Sequence, residues 1–192
     1  MNCLILQGSP RPQGNTASLT AVFADEFVLR GGNCREIRLF EKEIHPCTAC
    51  RSCQQDWSAF GCVCHDSMDE IAPLVLACDL LVLASPIHSW YCTAPMKAAL
   101  DRMVYGFNKY YGARRGPSLW KGKRVALIAT CGYPPDRGAD LWEQGVRRYC
   151  RHSGLRYEGL LVERHLSYDR PFFDPEKEAH ARAFAAKLFS DG

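Results

Sequence analysis

Short apolar runs and helically spaced apolar stripes take turns along the chain. Leu4-Ile5-Leu6 is a run that stops at Gly8, and Leu19, Val22, Phe23 and Phe27 follow at the spacing of one helix face. A strand, a loop and a helix are predicted. Arg30 before Gly31-Gly32 is a stop signal for that helix, because a basic side chain meets the last carbonyls and glycine can turn left-handed. Ile37 and Leu39 mark a second strand. Periodicity then lapses between His45 and His65, where cysteines accumulate. Ser67 and Glu70 have capping-box spacing for a helix reaching about Ala77, and Pro73, which lacks a backbone donor, predicts a kink or a later start.

Leu80-Leu81-Val82-Leu83-Ala84 is unbroken rather than alternating, as in a central strand covered on both faces of a parallel sheet. Ser85-Pro86 ends it, and Met96, Leu100, Met103, Val104 and Phe107 mark the next helix. Residues 124–130 form another buried run, followed by a stripe of Trp142, Val146 and Tyr149 that closes at Gly154. Residues 155–162 give a fifth strand. Asp174-Pro175-Glu176 offers an N-cap acid with proline at the first helical position, for a helix reaching about Phe189. Five strands alternating with helices imply right-handed βαβ units and a doubly wound five-stranded parallel α/β sheet, a three-layer sandwich. With no repeat, linker or low-complexity tract, residues 1–192 are expected to form one domain with a Cys-rich insertion at about 45–65.

Composition adds limits. In 192 residues, 47% hydrophobic and 23% charged, a packed core is expected. The net charge is +3 and the basic residues are scattered, which calls for no nucleic acid and no membrane. The first apolar stretch is too short and lacks the basic flank of a secretory signal, and no run reaches transmembrane length, so a cytoplasmic location is expected. The odd total of 11 cysteines in such a compartment points to metal or redox use before a disulfide framework.

The loop Gly8-Ser9-Pro10-Arg11-Pro12-Gln13-Gly14-Asn15-Thr16 joins the first strand to the first helix, where open α/β sheets receive phosphate. Its glycines allow close backbone approach, and Ser9, Arg11, Asn15 and Thr16 offer hydroxyl, cationic and amide donors. It has neither the lysine and spacing of a Walker loop nor GxGxxG, so a monophosphate suits it better than a nucleoside triphosphate or a dinucleotide. The alternative is a polar turn with an Asn/Thr helix cap.

With Gly8-Ser9-Pro10-Arg11 and Gly14-Asn15-Thr16, the segments Ser85-Pro86-Ile87-His88-Ser89-Trp90, Lys97 with Asp101-Arg102, and Gly122-Lys123 make the chain resemble the NADPH-dependent FMN reductase family of flavodoxin-like proteins. The resemblance extends over most of the chain. It implies a flavodoxin-like fold, FMN phosphate held by Ser9, Arg11, Gln13, Gly14, Asn15 and Thr16, and an isoalloxazine lined by Pro86, Ile87, His88, Ser89 and Trp90. His88 stands where the family commonly has tyrosine. The loop Thr130-Cys131-Gly132-Tyr133 lies at the same sheet edge, making Thr130 and Gly132 further flavin contacts. No side chain is given a catalytic role, since the flavin accepts the hydride. The alternative for Trp90 and Tyr91 is surface or dimer packing.

Cys47-Thr48-Ala49-Cys50-Arg51-Ser52-Cys53 is a CxxCxxC run, with Cys62 and Cys64 soon after. Such spacing suits an iron–sulfur cluster whose fourth cysteine arrives from elsewhere. Zinc competes, since four thiolates also make a tetrahedral site, with His65 a substitute ligand. One branch of the resembled family, the iron-sulfur flavoproteins, carries a [4Fe-4S] cluster on a compact motif; this implies Cys47, Cys50, Cys53 and Cys62 as ligands, with Cys64 in reserve. Free or redox-active thiols stay open as an alternative. Cys3, Cys34, Cys78, Cys92, Cys131 and Cys150 occur singly and read as small core residues, with Cys92 and Cys131 closest to the flavin loops.

The resemblance implies an FMN-dependent oxidoreductase that takes hydride from NAD(P)H and passes electrons to a quinone, a small acceptor or an iron–sulfur cluster. The alternative is a flavoprotein electron carrier between protein partners. A homodimer or homotetramer is implied, and the Tyr- and Arg-rich stretch 105–115 would cover the flavin, pack on a second subunit or stay solvated.

Overall fold

The computed structural model describes residues 1–167 and 169–191. The apolar runs become strands β1 (Asn2–Gln7), β2 (Asn33–Arg38), β3 (Leu80–Pro86), β4 (Arg124–Cys131) and β5 (Arg156–Arg164). All neighbours pair in parallel, in the order β2-β1-β3-β4-β5. The unbroken run of β3 lies at the centre, as its lack of alternation predicts. Edge strand β2 buries only Ile37 fully, because one of its sides has no neighbour.

Successive residues of a strand face opposite layers, so each strand feeds two cores. Leu19, Phe23 and Phe27 of α1 (Asn15–Leu29) and Ala181, Ala185 and Leu188 of α6 (Pro175–Ser190) cover Ile5, Val82 and Ile128. On the other side, Ile71 and Val75 of α2 (Met68–Ala77), Met96 and Met103 of α3 (Ala94–Phe107), and Trp142 and Val146 of α5 (Asp140–Ser153) cover Leu6, Leu83 and Leu127. A four-residue helix, α4 (Pro135–Gly138), precedes α5 and has no apolar stripe to announce it. The order reverses between β1 and β3, whose following helices lie in opposite layers, and the crevice this opens is at the strands' carboxyl ends. No helix of the described residues is long and apolar enough to cross a membrane.

The glycine and N-cap terminators behave as read, whereas the Arg30 side chain pairs with Glu26 instead of the last carbonyls of α1. Gly31 has φ +90 beyond α1, Gly154 has φ +71 beyond α5, and the Asp174 carboxylate accepts the Lys177 N–H at 2.9 Å at the start of α6. Two boundaries shift: Leu39 belongs to a 3-10 turn rather than to β2, and β5 continues to Arg164, past the last apolar residue.

The capping box at Ser67 and Glu70 does not form. Ser67 has helical φ and ψ and its hydroxyl caps nothing; the Met68 N–H instead donates to Asp66 Oδ1 at 2.9 Å. Glu70 is drawn off to Lys42 and Arg35. Pro73 does not delay the helix either, which runs through it from Met68 with the proline on its exposed face. Asp66 also binds buried Arg102, so the two cap candidates are separable. Ser67→Ala is expected to change unfolding free energy by less than about 0.5 kcal/mol, and Asp66→Ala, which strands a buried cation, to cost about 3–5 kcal/mol. Denaturant unfolding of the metal-free variants checks this, and equal losses would contradict it.

Candidate functional site

At the switch point, β1 ends in a loop that folds on itself before α1. The Ser9 hydroxyl accepts the Arg11 N–H and bonds back to its carbonyl, both at 3.2 Å, and the Gly14 N–H reaches Arg11 O at 3.1 Å. Gly8 admits no side chain, since a Cβ there would stand 2.9 Å from Thr93 Oγ1. Thr93 Oγ1 donates to Gly8 O at 2.7 Å and ties the loop to the start of α3. α1 begins at Asn15 with no side chain capping it, and neither Asn15 nor Thr16 is the cap. Its first-turn N–H groups and the dipole's positive end therefore face outward beside Arg11. Thr16 turns inward, and its hydroxyl meets that of Thr130 at 2.8 Å, joining helix to sheet.

Arg11, Asn15, Pro86, Ile87, His88, Thr130 and Gly132 line a cavity of about 320 Å³ at this edge. That is within the range for small-molecule and cofactor sites. Ser89 and Trp90 line a second cavity of about 290 Å³ that shares Ile87, Cys131 and Gly132 with the first. They sit in a tight turn closed by mutual bonds between His88 and Tyr91, with φ +50 at Ser89 and +64 at Trp90. Left-handed conformations at such residues cost about 1–3 kcal/mol each and cluster at functional sites. Trp90 stays 47% exposed and stacks on Tyr133, ring centroids 5.6 Å apart, across the mouth of this space. Ser9, Gly14 and Thr16 form the structure behind the cavity wall, and Gln13 is exposed outside it. Cys92 and Cys131 are both buried, and burial pushes the Cys92 thiol up to about 12.

A separate pocket forms on the flank of α3. Cys47, Cys50, Cys53 and Cys62 all line it, joined by Cys64 and Arg102, while His65 is exposed outside it and pairs with Asp69. Its segment has almost no regular structure beyond a 3-10 turn at Ser52–Gln54, so it is held by side chains. Gln54 donates to Tyr105 O at 2.6 Å and Asn108 O at 3.2 Å, and accepts the Tyr111 N–H. Lys109, fully buried, donates to Cys53 O at 2.7 Å and Phe60 O at 3.4 Å. The Phe60 ring lies on Gly106, where a Cβ would meet it at 2.2 Å. The stretch 105–115 thus has its first three residues in α3 and its buried members beneath the cysteines, rather than over the strand-end cavity.

Arg102, its side chain 1% exposed, forms the pocket's inner wall. It donates to Asp66 Oδ2 at 2.8 Å, Cys64 O at 2.8 Å and His45 O at 3.1 Å. Burial raises the Asp66 carboxyl, but Arg102 and the His45 and Met68 N–H groups outweigh it and hold the pKa at about 2. Arg102 Nε is buried with no partner among the described residues. That N–H is a donor left without an acceptor on a residue that lines the pocket. Cys47 Sγ accepts the Ala49 N–H at 3.4 Å, and the exposed Cys50 thiol is lowered by hydrogen bonds from Ser52. No three of the four predicted cysteine sulfurs lie within 4.8 Å of one another; among the described residues only His45, Cys64 and Asp66 offer ligand atoms that close.

The family description "NADPH-dependent FMN reductase" matches residues 1–140. The chain belongs to the NADPH-dependent FMN reductase family. An "Iron-sulfur flavoprotein" of Archaeoglobus fulgidus is 33% identical over 139 residues, 71% of this chain and 58% of that protein. Another, of Methanosarcina thermophila, is 32% identical over 158 residues, 82% of this chain and 74% of that one. The chain thus spans less than two thirds of the first relative's length. Among solved structures, an FMN-dependent NADH-azoreductase from Bacillus anthracis in complex with FMN superimposes with a TM-score of 0.69 at 15% identity, over 100% of this chain and 99% of that one, a likeness of fold.

In this FMN reductase family member, the sequence reading missed His165, Leu166 and Ser167, which complete the first cavity after β5. Their signal, the carboxyl end of the last strand, was hidden because polar Glu163 and Arg164 blur where β5 stops. Arg102, Gln54 and Lys109 were missed as the cysteine segment's framework, since nothing local marks a polar residue as buried. Gly106→Ala is expected to lose about 1–3 kcal/mol by overpacking against Phe60 and to speed cleavage by trypsin at Arg51. Unchanged proteolysis there would show that Gly106 does not hold the segment.

Proposed function

We propose that this chain is a flavin reductase that holds FMN at the strand-end cavity, receives hydride from NAD(P)H and passes electrons to a small acceptor of the quinone class, with the cysteine pocket as a second redox site. The observation that carries this is the uncapped start of α1 beside Arg11, opening into a cavity at the switch point. A dianionic phosphate suits it, because N–H donors, dipole and guanidinium converge without a competing side chain. Bound FMN would supply hydride acceptance and electron transfer. Arg11, Asn15 and the first-turn N–H groups would hold its phosphate. The Thr16–Thr130 pair would keep that helix end fixed against the sheet, and the strained turn at Ser89 and Trp90, with Gly132 opposite, would line the ring and leave one face open.

The cysteine pocket fits a [4Fe-4S] cluster better than zinc. Tetrahedral Zn–S bonds of about 2.3 Å need sulfurs only about 3.8 Å apart, closer than any three of these cysteines stand. A cluster takes each thiolate on a different iron and tolerates a wider set. Cys47, Cys50, Cys53 and Cys62 would hold it, and the unpartnered Arg102 Nε would donate toward its sulfurs. Thr93, just before α3, holds the β1–α1 loop, and at about 1.5 Å per residue Arg102 lies roughly 12 Å along α3 from Ala94.

Three measurements test this. Arg11→Ala is expected to weaken FMN binding about 10- to 100-fold, the value of a charge-assisted bond, by quenching of flavin fluorescence; unchanged affinity would place the phosphate elsewhere. Anaerobically purified protein should hold about four irons per chain. The potential of that centre should fall in Arg102→Lys, which loses the Nε donor, and rise in Asp66→Asn, which removes the countercharge, by about 59 mV for each tenfold change in the one-electron equilibrium. A purely structural role for the pair would make both variants lose iron without opposite shifts, and zinc in place of iron would overturn the cluster.

A further inference from the structure

A different pair of cysteines lies at the opposite end of the sheet. Cys3 and Cys34 are direct register partners on parallel strands β1 and β2. Partners of this kind sit about 4.8 Å apart and project from the same face. Both pack against the layer formed by α1 and α6, Cys3 only 3% exposed and Cys34 half-buried. Register thus places one accessible thiol beside one enclosed thiol, with no flavin or cluster residue between them. Gly8 lies five residues beyond Cys3, about 16 Å of strand, so the pair belongs to neither site described above.

We propose that Cys34 and Cys3 form a peroxide-reactive dithiol, Cys34 the attacking thiolate and Cys3 the thiol that resolves it. Register sets the two thiols side by side; their interaction lowers the Cys34 thiol and, with burial, raises Cys3 well above the ordinary thiol value. A thiolate next to a protonated thiol is the arrangement that resolving chemistry needs. In the first step the Cys34 thiolate attacks a hydroperoxide. An S–O bond forms, the O–O bond breaks, sulfur gives up two electrons, and the leaving alkoxide or hydroxide takes a proton from water. In the second, the Cys3 sulfur attacks the sulfenic acid, the S–S bond forms and the S–O bond breaks, and the Cys3 proton leaves with the hydroxyl as water. A small dithiol reductant reverses the change.

The geometry favours a reversible bond. Strand spacing falls inside the 4.4–6.8 Å range of Cα separations in disulfides but exceeds their usual Cβ separation of about 3.8 Å. β2 must therefore move inward by a small amount, which an edge strand with one neighbour can do. A disulfide closed against such resistance is of the readily reduced kind.

The sequence makes the test clean. Trypsin does not cut between Arg11 and Pro12, so Cys3 is the only cysteine in peptide 1–30 and Cys34 the only one in peptide 31–35. The loaded protein is treated anaerobically with one equivalent of tert-butyl hydroperoxide, its remaining thiols are alkylated, and the digest is weighed. The expected result is the two peptides joined and lighter by two hydrogens, with Cys34 oxidised at least tenfold more than buried Cys150. In Cys3→Ser, Cys34 should instead be trapped as its sulfenic acid by a carbon-acid probe. Both peptides recovered as alkylated thiols, while cysteines 47–64 are oxidised, would overturn the proposal. So would Cys34 linked to any cysteine other than Cys3.

Discussion

A guanidinium buried in the side of α3 cannot stand alone, and much of the lower half of this structure is arranged to satisfy it. Arg102 takes the Asp66 carboxylate as its counterion and two carbonyls, of His45 and Cys64, as further acceptors. Those acceptors are the two ends of the cysteine segment. One buried charge thus closes an otherwise irregular loop into a pocket, and the same carboxylate starts α2. Gln54 and Lys109 repeat the device from beneath, each spending donors on backbone carbonyls that no helix or strand would satisfy. The loop is stapled by ion pairs and amides, anchored by the buried Phe60 ring, and leaves Cys50 exposed.

The upper half rests on topology. Parallel strands end together, and the reversal of order between β1 and β3 sends their helices to opposite layers. Loop and helix start are then left at an open crevice without further design, and the remaining features sharpen it: a helix without a cap, a threonine pair fixing that helix to the sheet, and a turn held in left-handed backbone where Trp90 meets Tyr133. α3 connects the halves. Its start is hydrogen-bonded to the β1–α1 loop through Thr93, and its middle carries Arg102, so one helix touches the frames of both sites.

Most of the fold was legible because burial writes itself into composition: an unbroken Leu80–Ala84 run admits few readings other than a covered central strand. Boundaries were legible where one residue type has one use, as with Gly154 and Asp174, and illegible where several polar residues compete. Ser67 and Glu70 have the right spacing for a box, yet Asp66 takes the cap and Glu70 goes to Lys42, outcomes set by a partner 36 residues away and by a loop with no pattern. The cysteines that share the pocket could be read from spacing. The buried Arg102, Gln54 and Lys109 that shape it could not, since a buried cation and a solvated one look alike in sequence. Cys3 and Cys34 each passed for core; only strand register brings them together.

The central claim, a flavin reductase at the strand ends, is tested most directly by mixing FMN-reconstituted protein with excess NADPH or NADH under anaerobic conditions and following flavin absorbance. The account predicts loss of the oxidised flavin bands on the scale of a single turnover, and their return when a quinone is added. Flavin that binds tightly but stays oxidised with both nicotinamides, while a reduced iron–sulfur protein bleaches it, would contradict the account and make the chain an electron carrier.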